Sequence, residues 1–366
     1  MWTWTKKCSI APAVLATVIQ TCSFAADWNP RLAADYLDAR QKEWFAWAPA
    51  KSMGGPCLSC HTGITYLMAR PPLRQVLGEG EPVEHETGLL NALRARVDKN
   101  EAKEYAPRIT KEPMASQAIG VEAIFAALFL ARADEPSGTM SPATRQAFDR
   151  LWRLQQKTGP LQGAWQWYVF NTDPYETSDS PFFGATLAAL AVGSAPASYR
   201  EQEPVKEHTA ALKAYFARAS AGQPLHNRLM LLWAARKLPG LLPDAAKKAI
   251  VEEALGKQNR DGSWSAESLG PWKEHPDAKL APGANGYATA FAAFLLQTGG
   301  VPASDRRMSS ALAWLRAHQD PRAGYWDSGS MNKQYPADAM PALFMRDAAT
   351  SFAVLALTFA EPTAKR

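Results

Sequence analysis

From residue 83 onward, apolar positions recur at i, i+3, i+4 and i+7, the period of a helix, and runs of alternating β-branched residues are absent. Two kinds of segment take turns. Val83 to Lys99, Ser141 to Gln156, Glu203 to Ala219, Pro243 to Lys257 and Ala303 to His318 are amphipathic and charged. Ser116 to Arg132, Pro181 to Val192, His226 to Arg236, Asn285 to Gln297 and Arg346 to Thr358 are apolar and small on every side. A helix with one polar face belongs at a surface, and a helix apolar all round belongs inside other helices. Strict alternation therefore predicts an all-α fold with outer and inner rings, an α/α toroid of five helix pairs. A sixth pair forms if Asn29 to Trp47 is an outer helix and Thr62 to Arg70 its inner partner. Most outer-to-inner connections are long and rich in Gly, Trp, Pro and Tyr, whereas inner-to-outer turns such as Pro239 to Leu242 are short. The end that gathers the long loops is the expected functional face.

Composition narrows the setting. The 366 residues are 47% apolar, enough for a large core, and 40 Lys and Arg stand against 35 Asp and Glu, with no basic block interleaved with aromatics. Nucleic acid is therefore not an expected partner. Lys6 and Lys7, the apolar Ser9 to Ile19 and the small-x-small Ser23-Phe24-Ala25 have the order of an export signal cleaved after Ala25. Later apolar runs are interrupted by Gly, Pro or charge, so no membrane span is expected in the exported chain. The expected organisation is a signal at 1–25, a haem-binding segment at 26–82 that is the first helix pair if the sixth pair exists, and the toroid over 83–366. Removing the signal takes Cys8 and Cys22 with it and leaves Cys57 and Cys60.

Those two cysteines stand in "GGPCLSCHTG", residues 54–63. C-x-x-C-H is the attachment pattern of c-type haem, in which both thiols add to the haem vinyl groups and the histidine ligates the iron. The spacing suits a first helical turn. A thioredoxin-like pair would need a βαβ setting, a zinc site a second pair of Cys or His, and a disulfide over two residues would close a loop too small to stabilise much. The stretch resembles the haem segment of c-type cytochromes. That resemblance assigns Cys57 and Cys60 to thioether bonds and His61 to the axial position, with one haem c per chain.

A second resemblance rests on the loops. "QQKTGPLQGAW" ends at Trp165, "QNRDGSW" at Trp264 and "QDPRAGYW" at Trp326, each after an outer helix. The third copy, with Ala311, Trp314, Leu315, Gln319, Gly324 and Trp326, is similar throughout to the repeat of squalene-hopene cyclases and related prenyltransferases. The first two copies keep the upstream Gln and the Gly-x-Trp ending but lack the aromatic-Leu pair in register. The resemblance implies that these residues brace outer helices. It does not carry the family's chemistry, because the D-x-D-D acid motif is absent and both cysteines that could serve a prenyltransferase zinc are committed elsewhere.

The sixth iron position separates two functions. Met114, in the long loop "KEPMAS" and preceded by a proline as distal methionines of c-type cytochromes often are, is the leading candidate, followed by Met68, Met53 and His85. A filled position suits electron transfer with a redox partner protein. An open one suits a haem oxidoreductase acting on an apolar small molecule, such as an isoprenoid, in the toroid cavity. Polar residues before or within the apolar helices (Gln117, Glu122, Glu176, Asp179, His226, Asn227, Asn285 and Asp347) read mainly as helix caps or loop-bonding groups and, as the alternative, as the lining of a site at the mouth, with Glu122 the least easily explained as a cap.

Overall fold

In the computed structural model, residues 27–104, 111–273 and 282–360 are described, together with Met1, Ile109, residues 275–278 and Leu280. The expected export signal at 1–25 lies outside them. Each inner segment is a helix because its Ala, Leu and Phe residues favour one and find apolar neighbours on all sides. The inner helices are α2 (Gly63–Leu77), α4 (Met114–Asp134), α6 (Ser180–Ser194), α9 (Leu225–Lys237), α11 (Gly286–Thr298) and α13 (Phe344–Ala360). All 13 residues of α11 are buried. The outer helices are α1 (Pro30–Ala46), α3 (Glu84–Arg94), α5 (Pro142–Leu154), α8 (Glu203–Ala219), α10 (Asp244–Gly256) and α12 (Arg306–Ala317), with the short α7 (Ala197–Arg200) leading into α8.

The inner helices form a closed ring. α4 packs on α6, α6 on α9, α9 on α11, α11 on α13, and α13 on α2, while Arg132 of α4 reaches the Met68 carbonyl of α2. Outer helices sit in the clefts between them, as α1 does between α13 and α2. The fold is thus an α/α toroid, and α1 with α2 supplies its sixth pair. Outer-to-inner connections at 47–62, 95–113, 155–179, 257–285 and 318–343 are long, and 220–224 is the short exception.

The Gly-Trp loops brace neighbouring outer helices. Each indole donates to a carbonyl near the end of its own outer helix: Trp165 to Leu151 (2.7 Å), Trp264 to Ala254 (2.8 Å) and Trp326 to Leu315 (2.7 Å). Each Gln amide ties its loop glycine carbonyl to the next outer helix: Gln155 to Gly163 and His208, Gln258 to Gly262 and Arg307, Gln319 to Gly324 and Asn29. The third brace joins the last outer helix to the residue that caps the first, so it closes the outer ring. Gly324 is required there twice over: its φ is +79°, and a Cβ would stand 2.3 Å from the Leu32 backbone.

Two features add to the expected pattern. Met114–Ser137 and Met340–Ala360 are long and apolar enough to cross a bilayer, although 78% and 67% of their apolar windows are buried within the protein. The inner helices of a toroid meet protein on most sides, and burial among other helices selects an apolar composition of this kind. Among the described residues there is also one small antiparallel hairpin, β1 (Lys51–Ser52) with β2 (Gly55–Pro56), placed directly before Cys57.

Candidate functional site

The hairpin ends where the cysteine motif begins. Cys57 N–H donates to the Ala50 carbonyl (2.8 Å), and the Trp44 indole of α1 donates to the Cys57 carbonyl (2.8 Å). The motif lies in the turn leading into α2 rather than in a first helical turn, because Ser59 Oγ accepts from the N–H groups of both His61 and Thr62 at 3.1 Å. That hydroxyl gathers amides the helix start would otherwise leave unpaired.

Both cysteines are free, and both, with His61, line one cavity of about 670 Å³. Its wall is largely aromatic and apolar, with Trp44, Trp47, Tyr168, Phe170, Tyr335 and Phe344, and it carries two carboxylates, Glu122 and Glu176. The volume falls in the range that takes one cofactor-sized molecule. Loops 47–62, 155–179 and 318–343 and helix α4 each contribute to it, so the cavity opens at the end where the long loops gather.

His61 is held by stacking. Phe344 lies nearly parallel to its ring at 5.1 Å, and Tyr175 meets it edge-on at 5.0 Å. Burial pushes the imidazole below its ordinary pKa, against the pull of Glu176 and Asp347, so the ring is neutral near pH 7. Burial also raises both thiols, Cys57 to about 11 with Glu122 adding to it, and Cys60 well above its ordinary value with Glu176 beside it. Both are therefore protonated at neutral pH.

Two buried ion pairs anchor the site. Asp347 accepts from Arg40 Nε (2.8 Å), Arg40 Nη2 (3.1 Å), the Tyr36 hydroxyl (2.8 Å) and the Thr62 hydroxyl (2.9 Å), joining α13, α1 and the residue after His61. Arg96 donates to Glu122 (2.6 Å) and to the carbonyls of Met53 (3.1 Å) and Pro56 (3.3 Å), fastening the hairpin to α4. The capping expectation thus fails for Asp347 and Glu122, whose partners are side chains distant in sequence. It holds for Asn285, which accepts from Ala288 N–H at 2.9 Å.

The structure does not bring Met114 into the cavity. It starts α4 one turn before Ala118, which lines the wall, and the residue is 39% exposed. Met53 is exposed at the hairpin, Met68 is buried in α2 and His85 packs edge-on to Phe45; none lines the cavity. Met345 does line it, and so do residues that sequence reasoning passed over, among them Trp44, Tyr335, Asn332 and Phe344. The usable signal was the crowding of aromatic and amide residues in the long loops.

No family model matches the sequence, and no curated relative matches it. Among solved structures, the chain is similar to a polysaccharide lyase at 12% identity, over 92% of this chain and 99% of the lyase, with a TM-score of 0.52. The GH76A alpha-1,6-mannanase from Salegentibacter sp. HEL1_6 matches at 11% identity, over 91% and 100%, with a TM-score of 0.51. An ent-copalyl diphosphate synthase from Streptomyces platensis matches at 18% identity over 83% of this chain, with a TM-score of 0.45, and the chain spans only 52% of its length. At such identities the first two share the toroid fold alone.

Proposed function

We propose that this chain is an exported mono-haem redox protein of the c type, passing single electrons to a partner protein. The observation that carries the reading is that two free thiols and a buried imidazole at C-x-x-C-H spacing face one cofactor-sized cavity. The donor set fits the group. Thioether formation adds each S–H across a vinyl double bond, and both thiols are on the cavity wall; a neutral imidazole is the form that ligates iron. Haem supplies one-electron redox chemistry when bound. The chain's own contribution is placement: Phe344 and Tyr175 fix the plane of His61, and Asp347 fixes Thr62 beside it. The aromatic wall keeps water from the ligand.

A second reading, a haem-dependent oxidoreductase acting on an apolar small molecule, is favoured by a separate observation. Glu122 and Glu176 stand in the cavity wall, an arrangement that suits acid–base groups beside an iron site. The chain should be expressed with a cytochrome maturation system and its visible spectra recorded oxidised and reduced, with and without carbon monoxide. A covalent c-type spectrum indifferent to carbon monoxide supports the electron carrier, and a shift on the reduced form supports the oxidoreductase. Failure of the wild type to take up haem, or full haem content in the Cys57→Ala/Cys60→Ala double variant, overturns both.

A further inference from the structure

Behind His61, three side chains form a hydrogen-bonded line: Tyr175, Tyr287 and His226, none more than 1% exposed. They come from the 155–179 loop, α11 and α9. The Tyr175 and Tyr287 hydroxyls are 2.7 Å apart, and the Tyr287 hydroxyl is 2.7 Å from His226 Nε2. The neighbours assign the protons. Asn227 Nδ2 donates to the Asp179 carbonyl and to Gln223 Oε1, which leaves Asn227 Oδ1 to accept from His226 Nδ1 at 2.9 Å. With Nδ1 protonated, Nε2 is an acceptor, so Tyr287 donates to His226 and Tyr175 donates to Tyr287.

Both ends of the line meet other rings. Tyr175 touches the edge of His61 at 5.0 Å, and His226 meets Trp272 at 5.5 Å, where Trp272 borders a small surface cleft. Burial holds His226 neutral, down to about 4, and raises both phenols, so neither phenol ionises near neutral pH. A phenol loses an electron readily only if its proton leaves at the same time, and here a neutral base is already in hydrogen-bond contact.

We propose, resting on the haem reading above, that Tyr287 is a redox-active tyrosine, giving an electron through Tyr175 to the cavity as its phenolic proton passes to His226 Nε2. The co-reactant is a hydroperoxide. Hydrogen peroxide takes up two electrons as its O–O bond breaks: Tyr287 gives one, and haem held by Cys57, Cys60 and His61 would supply the other. Two protons from solvent complete two waters, and the phenolic proton stays on His226, leaving a neutral phenoxyl beside an imidazolium.

The test mixes reduced, haem-loaded protein with one equivalent of hydrogen peroxide, freeze-quenches it and reads electron paramagnetic resonance. A tyrosyl signal is expected in the wild type, absent in Tyr287→Phe and formed at least about tenfold more slowly in Tyr175→Phe, with haem spectrum and thermal melt recorded for each variant. A signal undiminished in Tyr287→Phe, or haem oxidation in the wild type with no tyrosyl signal, overturns the proposal. If the wild type takes up no haem, the haem reading fails by itself. The relay is then judged with photogenerated tris(bipyridine)ruthenium(III) as oxidant, where Tyr287→Phe lowers the tyrosyl absorbance if the relay exists and leaves it unchanged if it does not.

Discussion

At the scale of single residues, buried polar groups decide more here than apolar ones. Asp347 is fully enclosed and answered by Arg40, Tyr36 and Thr62, so removing Arg40 would leave an uncompensated charge, a loss of about 3–5 kcal/mol. His226 gives the clearest pH dependence. Its folded pKa, about 4, lies below the ordinary value of 6.5, so between those values the unfolded chain binds a proton that the folded chain does not. Stability therefore rises as pH rises from about 4 to 6.5, by on the order of 3 kcal/mol for this group. Urea titrations of wild type and His226→Gln across that window should show a shallower slope in the variant; equal slopes would refute the assignment. The polar residues were legible as exceptions to the apolar pattern, but their partners were not, since Glu122 and Arg96 or Asp347 and Arg40 meet only when distant segments fold together.

At the scale of elements, the Gly-Trp loops turn a local pattern into a contact between neighbouring outer helices. The glycine lies against the next helix backbone, the indole closes the end of its own helix, and the glutamine ties both. Gly324→Ala must strain a left-handed backbone and push away Leu32, costing at least about 2 kcal/mol. Gly329→Ala, in the same loop with nothing within 4 Å of the added carbon, is the control. Thermal melts of the two should differ by several degrees, and equal midpoints would remove the bracing role. The alternation of helix types was readable throughout because burial on all sides and burial on one side impose different compositions. The position of Met114 was not, since a helix start places one turn inside a cavity wall and the turn before it in solvent.

At the scale of the whole molecule, a ring is only as stable as its closure. Gln319 exchanges hydrogen bonds with the Asn29 backbone in both directions, 2.6 Å and 2.9 Å, joining the last outer helix to the first. Losing those bonds in Gln319→Ala should cost about 1–3 kcal/mol and expose the start of α1. Hydrogen exchange should then quicken at least about tenfold at residues 30–36, with α8 and α9 unchanged as the internal reference. Unchanged protection at α1 would mean that the inner contact of α13 with α2 closes the torus without help.

The sequence by itself determined the order and kind of the helices, the alternation that requires a toroid and the cysteine-histidine spacing that nominates a haem site, because each is a matter of local composition and short-range geometry. Only the tertiary structure decided which residues share the cavity with that motif. It turned Glu122 and Glu176 inward, left Met114 out of the cavity wall, stacked Phe344 on His61 and lined up Tyr175, Tyr287 and His226 behind it. The physical reason is closure: residues far apart along the chain become neighbours when six helix pairs complete a circle, and no local pattern records which side chains then point to its centre.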